Sequence, residues 1–155
     1  MYWIRIIMAL FVLVCLTSCA EKQQMKDSQL ALIKATDPKP VVTDGKKGSE
    51  QAEDIKHDVS SFPEIYDVAV VKGKNGALVV YKVKHMQRFN MKKIESKVTK
   101  KLEGKYPKEK FTVSSDYKIF LEVVRLNEKM RAGTISNQNA DKRFKEIVKM
   151  TEDMK

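Results

Sequence analysis

Two runs rich in β-branched residues, Ile65 to Val71 and Ala77 to Lys84, flank Asn75-Gly76, a pair favoured in a two-residue type I′ hairpin turn. With that turn, Val71 lies opposite Val80, Val70 opposite Tyr81 and Val68 opposite Val83. Alternation then sorts the side chains into two faces. One face collects Val68, Val70, Val79, Tyr81 and Val83 and is expected to meet the core. The other carries Ala69, Val71, Leu78 and Val80, with Asp67, Lys82 and Lys84 towards the open end. This second face is also too apolar to stand in water. Something must cover it, either the C-terminal helices or another molecule. A ribbon apolar on both sides constrains the fold more than any other stretch of the chain.

The flanking segments supply helices. Ser49 is placed to cap a helix in which Ala52, Ile55, Val59 and Phe62 fall on one face, and Pro63 stops it. A second helix, from about Met91 to Gly104, turns Met91, Ile94, Val98 and Leu102 inward. Phe111 and Val113 form a short third strand. Ser115 or Asp116 caps a helix bearing Phe120, Val123, Val124 and Met130, and Gly133 is placed to end it. A last amphipathic helix follows Asn139, with Phe144, Ile147, Val148 and Met154 on its stripe. The expected order is helix, strand, strand, helix, strand and two helices, a small α+β layer structure. The two C-terminal stripes are the favoured cover for the outer hairpin face, because they otherwise lack a destination.

The N-terminus speaks to location. Arg5 is the only charge among the first eighteen residues, and an apolar run from Ile6 to Val14 leads into Leu16-Thr17-Ser18-Cys19. That run suits a signal-peptide core and is shorter than the roughly 20 apolar residues a membrane span needs. Leu16-Thr17-Ser18-Cys19 resembles the lipobox cleaved before a lipid-modified bacterial cysteine. Residues 1–18 are therefore expected to leave as a lipoprotein signal peptide, with Cys19 carrying a diacylglyceryl group and further palmitate-type acylation. Each buried methylene contributes about 0.8 kcal/mol, so two or three chains anchor stably where one does not. Cys15 leaves with the signal peptide, so the mature domain has no free thiol, disulfide or cysteine-ligated metal. Residues 19–48 are expected to be a flexible tether, mixing Lys, Gln, Asp and Thr with Pro38 and Pro40, and residues 49–155 one folded domain.

Charge narrows the partners. The formal net charge is +10 and falls to +9 once Arg5 is removed, a balance that favours an anionic lipid, wall polymer or nucleic acid. Export and a membrane tether make nucleic acid the least favoured of these. From Lys82 to Lys110 the sequence holds eleven lysines and arginines against Glu95, Glu103 and Glu109. Lys93, Lys97, Lys100 and Lys101 in this run are the candidate anionic-surface contacts, weighed against an ordinary solvated helix face. The sequence has no Gly-x-Ser-x-Gly elbow, His-Glu-x-x-His, Gly-x-Gly-x-x-Gly or phosphate-binding loop. His57 and His85 lie in different elements without carboxylate partners at helical spacing. The expectation is therefore a non-enzymatic protein with no cofactor and no metal.

The chain as a whole resembles the YhcN/YlaJ-type sporulation lipoproteins of endospore-forming bacteria. The resemblance rests on the box ending at Cys19, the polar tether, Phe62-Pro63-Glu64-Ile65-Tyr66-Asp67-Val68-Ala69-Val70, and Val113-Ser114-Ser115-Asp116 before a long helix closing near Gly133. Ile135-Ser136 and Phe144 follow. Glu64 stands where a glycine is common in the family, and Tyr117 where a proline often follows the aspartate. The resemblance implies a membrane-anchored, spore-associated protein of the extracytoplasmic face, acting in spore formation, germination or outgrowth. The element order is also similar to the BON domain, thought to contact phospholipid, and to the ring-building module of secretion and sporulation complexes. These add two competing expectations, an anionic-phospholipid-binding module and an assembly subunit of an envelope complex with a protein partner.

Overall fold

The two β-branched runs pair to form the centre of a four-stranded sheet. The computed structural model describes residues 37–43 and 48–154. The expected signal peptide, Cys19 and most of the expected tether lie outside the described residues, as do residues 44–47 and 155. Strand β1 is Val41–Val42, β2 is Ile65–Gly73, β3 is Gly76–Val83 and β4 is Phe111–Ser114. Helix α1 is Ser49–Ser60, α2 is Met91–Lys105, α3 is Tyr117–Arg131 and α4 is Asn137–Asp153. A 3₁₀ segment, His85–Asn90, joins β3 to α2. The sheet order is β1-β2-β3-β4. The central hairpin is antiparallel, and each outer strand runs parallel to its neighbour. Parallel neighbours need a crossover, which α1 supplies between β1 and β2 and α2 supplies between β3 and β4.

Both faces of the hairpin are buried, and by the residues alternation assigned to them. Val68, Val70, Val79, Tyr81 and Val83 pack with Ala52, Ile55 and Val59 of α1 and with Ile94, Val98 and Leu102 of α2. Ala69, Val71, Leu78 and Val80 pack with Ile119, Phe120, Val123 and Val124 of α3 and with Ala140, Phe144 and Ile147 of α4. The α+β architecture is thus a sheet between two helical layers, and the C-terminal helices are the cover that the outer face required.

The register corrects the expected turn. Gly73 pairs with Gly76, Val71 with Leu78, Val70 with Val79 and Val68 with Tyr81, so the loop is Lys74-Asn75 and the pairing is displaced by two residues. Asp37 is the only described non-glycine residue with positive φ, so Lys74-Asn75 is not a type I′ turn. Close packing favours this register. Ala77 N–H donates to Lys110 O at 2.8 Å, and a Cβ on Gly76 would lie 2.5 Å from that same oxygen. Gly76 is therefore needed where β4 approaches β3. A two-residue slip keeps every side chain on its own face, which is why the layers survive the error.

Part of the segment expected as tether is built into the sheet. Residues 37–43 belong to the fold: Val41 and Val42 pair with Val71 and Lys72, and Thr43 N–H donates to Lys72 O at 2.9 Å. Three side chains clamp the approach. Lys56 donates to Asp37 and, at 2.8 Å, to Pro38 O; Asp67 accepts the Asp37 N–H at 3.0 Å; Asn127 donates to Lys39 O. At the helix ends, Gly48 with φ 98° precedes α1, so Ser49 is its first residue and not its cap. Asp116 caps α3 by accepting from the Lys118 and Ile119 N–H groups. Gly133, at φ 67°, closes α3, with Gly133 N–H bonded to Met130 O and Thr134 N–H to Lys129 O, the paired bonds of a Schellman stop. Met91 and Met154, expected inward, are exposed, because at the ends of α2 and α4 they line an open cleft beside Val83 and Ser114 instead of the packed core.

Candidate functional site

The open end of the hairpin is where helices and strands fail to seal the surface. In β2 the register shifts between Ile65 and Asp67, so Tyr66 has no partner across the ladder. Such a bulge re-aims a side chain, and Tyr66 stands exposed at the rim of a cleft of about 580 Å³. Met91, Tyr117 and Met154 share that rim, with Arg88 beside them and Ser114 and Ser115 also lining the cleft. The 3₁₀ segment has no buried residue at all; Phe89 is 98% exposed and Met86 81%. These six are the exposed large apolar side chains among the described residues, and all lie at this end.

The chemistry beneath the rim is ion pairing. Asp67 is 4% exposed and accepts from Lys82 at 3.1 Å. Lys82 Nζ lies 4.1 Å from the centre of the Phe120 ring and about 6 Å from those of Tyr117 and Tyr66. The charge of Lys82 is thus spent inside the cleft wall on a buried carboxylate and an aromatic face. Tyr81 Oη is buried nearby with no partner in hydrogen-bond geometry. Burial pushes its phenol well above the ordinary range and Glu95 adds to the shift, while the Ser115 hydroxyl offsets a part. Tyr81 therefore stays neutral at any physiological pH.

The four lysines singled out in the sequence do not act alike. Lys97 pairs with Glu64 at 3.3 Å, and Lys101 donates to Asp58 O at 3.0 Å and Ser61 Oγ at 2.9 Å while lying 5.0 Å from the Phe62 ring centre. One turn further on, Lys105 bonds both oxygens of Asp58, and Tyr106 O–H donates to the same carboxylate at 2.6 Å. Burial works to raise the Asp58 pKa, but the hydrogen bonds from Lys105 and Tyr106 outweigh it and hold the carboxyl below its ordinary value. This row fastens α2 to the C-terminal end of α1, where cations also meet the helix dipole favourably. Lys93 and Lys100 are exposed and make no ion pair among the described residues. His57 and His85 are both exposed, and no group of three His, Cys, Asp or Glu is placed to hold a metal among the described residues.

Reasoning from periodicity overlooked Tyr66, Met86, Phe89 and Tyr117. The available signal was Lys84 to Lys93, Lys-His-Met-Gln-Arg-Phe-Asn-Met-Lys-Lys, a stretch with four strong cations, three large apolar residues and no acid. Met86 and Phe89 continue neither the alternation of β3 nor the stripe of α2, and both stand exposed.

Residues 22–155 match the profile of the family described as sporulation lipoprotein YhcN/YlaJ. No curated protein and no solved structure matches the chain.

Proposed function

Because the chain belongs to the YhcN/YlaJ sporulation lipoprotein family, we propose that it is a non-enzymatic binding or structural module held at the extracytoplasmic face of a spore membrane through acylated Cys19, serving spore formation or germination. The observation that carries this reading is the family match across 22–155, the whole folded unit, directly behind Leu16-Thr17-Ser18-Cys19. Lipid attachment fixes where the domain works, and the fold supplies a surface to present there.

Of the competing roles, contact with anionic lipid agrees better with the charge distribution than assembly through the hairpin does. The outer hairpin face that an assembly partner would use is filled by the chain's own α3 and α4. Anionic-surface contact keeps Lys93 and Lys100, whereas Lys97 is paired with Glu64 ahead of β2 and Lys101 bonds the end of α1. Cys19→Ala tests the anchor: the protein is expected to leave the membrane fraction or to remain unprocessed, and the intact mass of the native protein to include acyl chains. A Cys19→Ala protein that is cleaved normally and still sediments with membranes in high salt would refute the anchor.

A further inference from the structure

We infer that the open end of the hairpin is a second membrane contact, in which Met86 and Phe89 enter the headgroup and acyl boundary of an anionic phospholipid bilayer while Lys84, Arg88, Lys92 and Lys93 meet its phosphates. The inference deepens the proposed anchoring and takes its geometry from it, but its chemistry stands on the folded domain alone.

Three observations converge on this end. The first is the concentration of exposed large apolar side chains here, four of them around the cleft and two on the 3₁₀ segment. Scattered apolar residues need no explanation; a cluster rimmed by polar groups does. The second is charge. The ten residues from Lys84 to Lys93 carry four lysines or arginines and no acid, so each apolar tip is flanked by cations on long stems. Cations beside Phe and Met form the pattern that lies in a bilayer interface, where the stems keep the charges at phosphate level and the apolar tips sink below it. Met86 and Phe89 project from a segment with no buried residue, a shape suited to entering a soft surface.

The third observation is where the chain joins the fold. Asp37, the first described residue, donates its N–H to Asp67, one residue from Tyr66 at the cleft rim. The described chain therefore begins at the same end of the sheet that carries Met86 and Phe89. Seventeen residues separate Cys19 from Asp37, and even fully extended they span at most about 60 Å. Acylated Cys19 would therefore keep that end within about 60 Å of the bilayer.

Trp3, the only tryptophan in the sequence, is expected to leave with residues 1–18, and Trp3→Phe removes it from any unprocessed protein as well, so Phe89→Trp gives one reporter at the tip. Purified from membranes and reconstituted into phosphatidylglycerol-rich vesicles, this protein is expected to show blue-shifted emission. Lipids brominated on the acyl chain are expected to quench it about twofold. Quenching should weaken in phosphatidylcholine alone and at high salt, as the cations lose their counter-charges. The same background with Lys74→Trp, at the hairpin turn, should remain unquenched. A reporter at position 89 that is unquenched while the protein floats with the vesicles would overturn the second contact and leave the anchor standing. Quenching at position 89 in protein that also carries Cys19→Ala would support the contact independently of the anchor. Loss of both flotation and quenching would overturn the contact and the anchor together.

Discussion

The outer face of the hairpin and the segment that leaves its open end are made of similar apolar material. Ala69, Val71, Leu78 and Val80 are fully buried beneath α3 and α4, whereas Phe89 and Met86, only a few residues beyond β3, stand in solvent. Hydrophobicity does not separate them. What separates them is whether the chain supplies a matching surface within reach: the stripes of α3 and α4 lie over the sheet, and none of the described residues buries the 3₁₀ segment. Burial on the hairpin face therefore stabilises the fold, while the exposed segment leaves its apolar area available to something outside the chain. Cations divide in the same way. Lys97, Lys101 and Lys105 are engaged with α1 and its flanking turn, while Lys84 to Lys93 crowd the open end.

The change expected to affect stability most is Val80→Lys, which places an unpaired charge between β3 and the C-terminal helices. Unfolding in urea should show a loss of about 4 kcal/mol, the size of an uncompensated buried charge. An unaltered unfolding midpoint would erase the distinction between covered and uncovered apolar surface.

Asp58→Asn probes the row of lysines that fastens α2, and its effect should depend on pH. The folded carboxyl titrates below its ordinary value of 3.8, so its contribution is present above that value and is lost as pH falls through the lower, folded one. At neutral pH the variant should be less stable by about 1 kcal/mol, the pair being discounted because Lys105 is half exposed. The two unfolding curves should draw together as pH falls below about 3.8 and meet only below the lower, folded value. A difference that persists undiminished at low pH would show that the ion pair is not what holds α2 to α1.

The smallest effect is expected at Phe89→Ser, within about 0.5 kcal/mol of the parent by the same measurement, because the ring has no contact to lose on folding. A larger loss would mean that Phe89 belongs to the core, and the contrast between the two surfaces would fall with it.

Much of this arrangement is legible in residue order. Period two assigned each hairpin residue to its face, and period 3.6 placed Ile94, Val98, Leu102, Phe120, Val123, Phe144 and Ile147 inward, because local geometry alone sets which side chains share a side. Asn75-Gly76 misled because its preference for one turn type is smaller than the packing of Gly76 against β4. Val41-Val42 passed unnoticed because a two-residue strand has no period. Its place depends on Lys56, Asp67 and Asn127, which approach it from distant parts of the chain.

The sequence alone determined the order of helices and strands from α1 onwards, the two apolar faces, the basic balance and the family resemblance, since each is a property of neighbours along the chain. Only tertiary structure decided which apolar residues are covered, which lysines are engaged, and that Asp37 lies against Asp67 beside Tyr66. Those outcomes depend on distances between residues tens of positions apart, such as the 3.0 Å from Asp37 N–H to Asp67, and no local pattern encodes them.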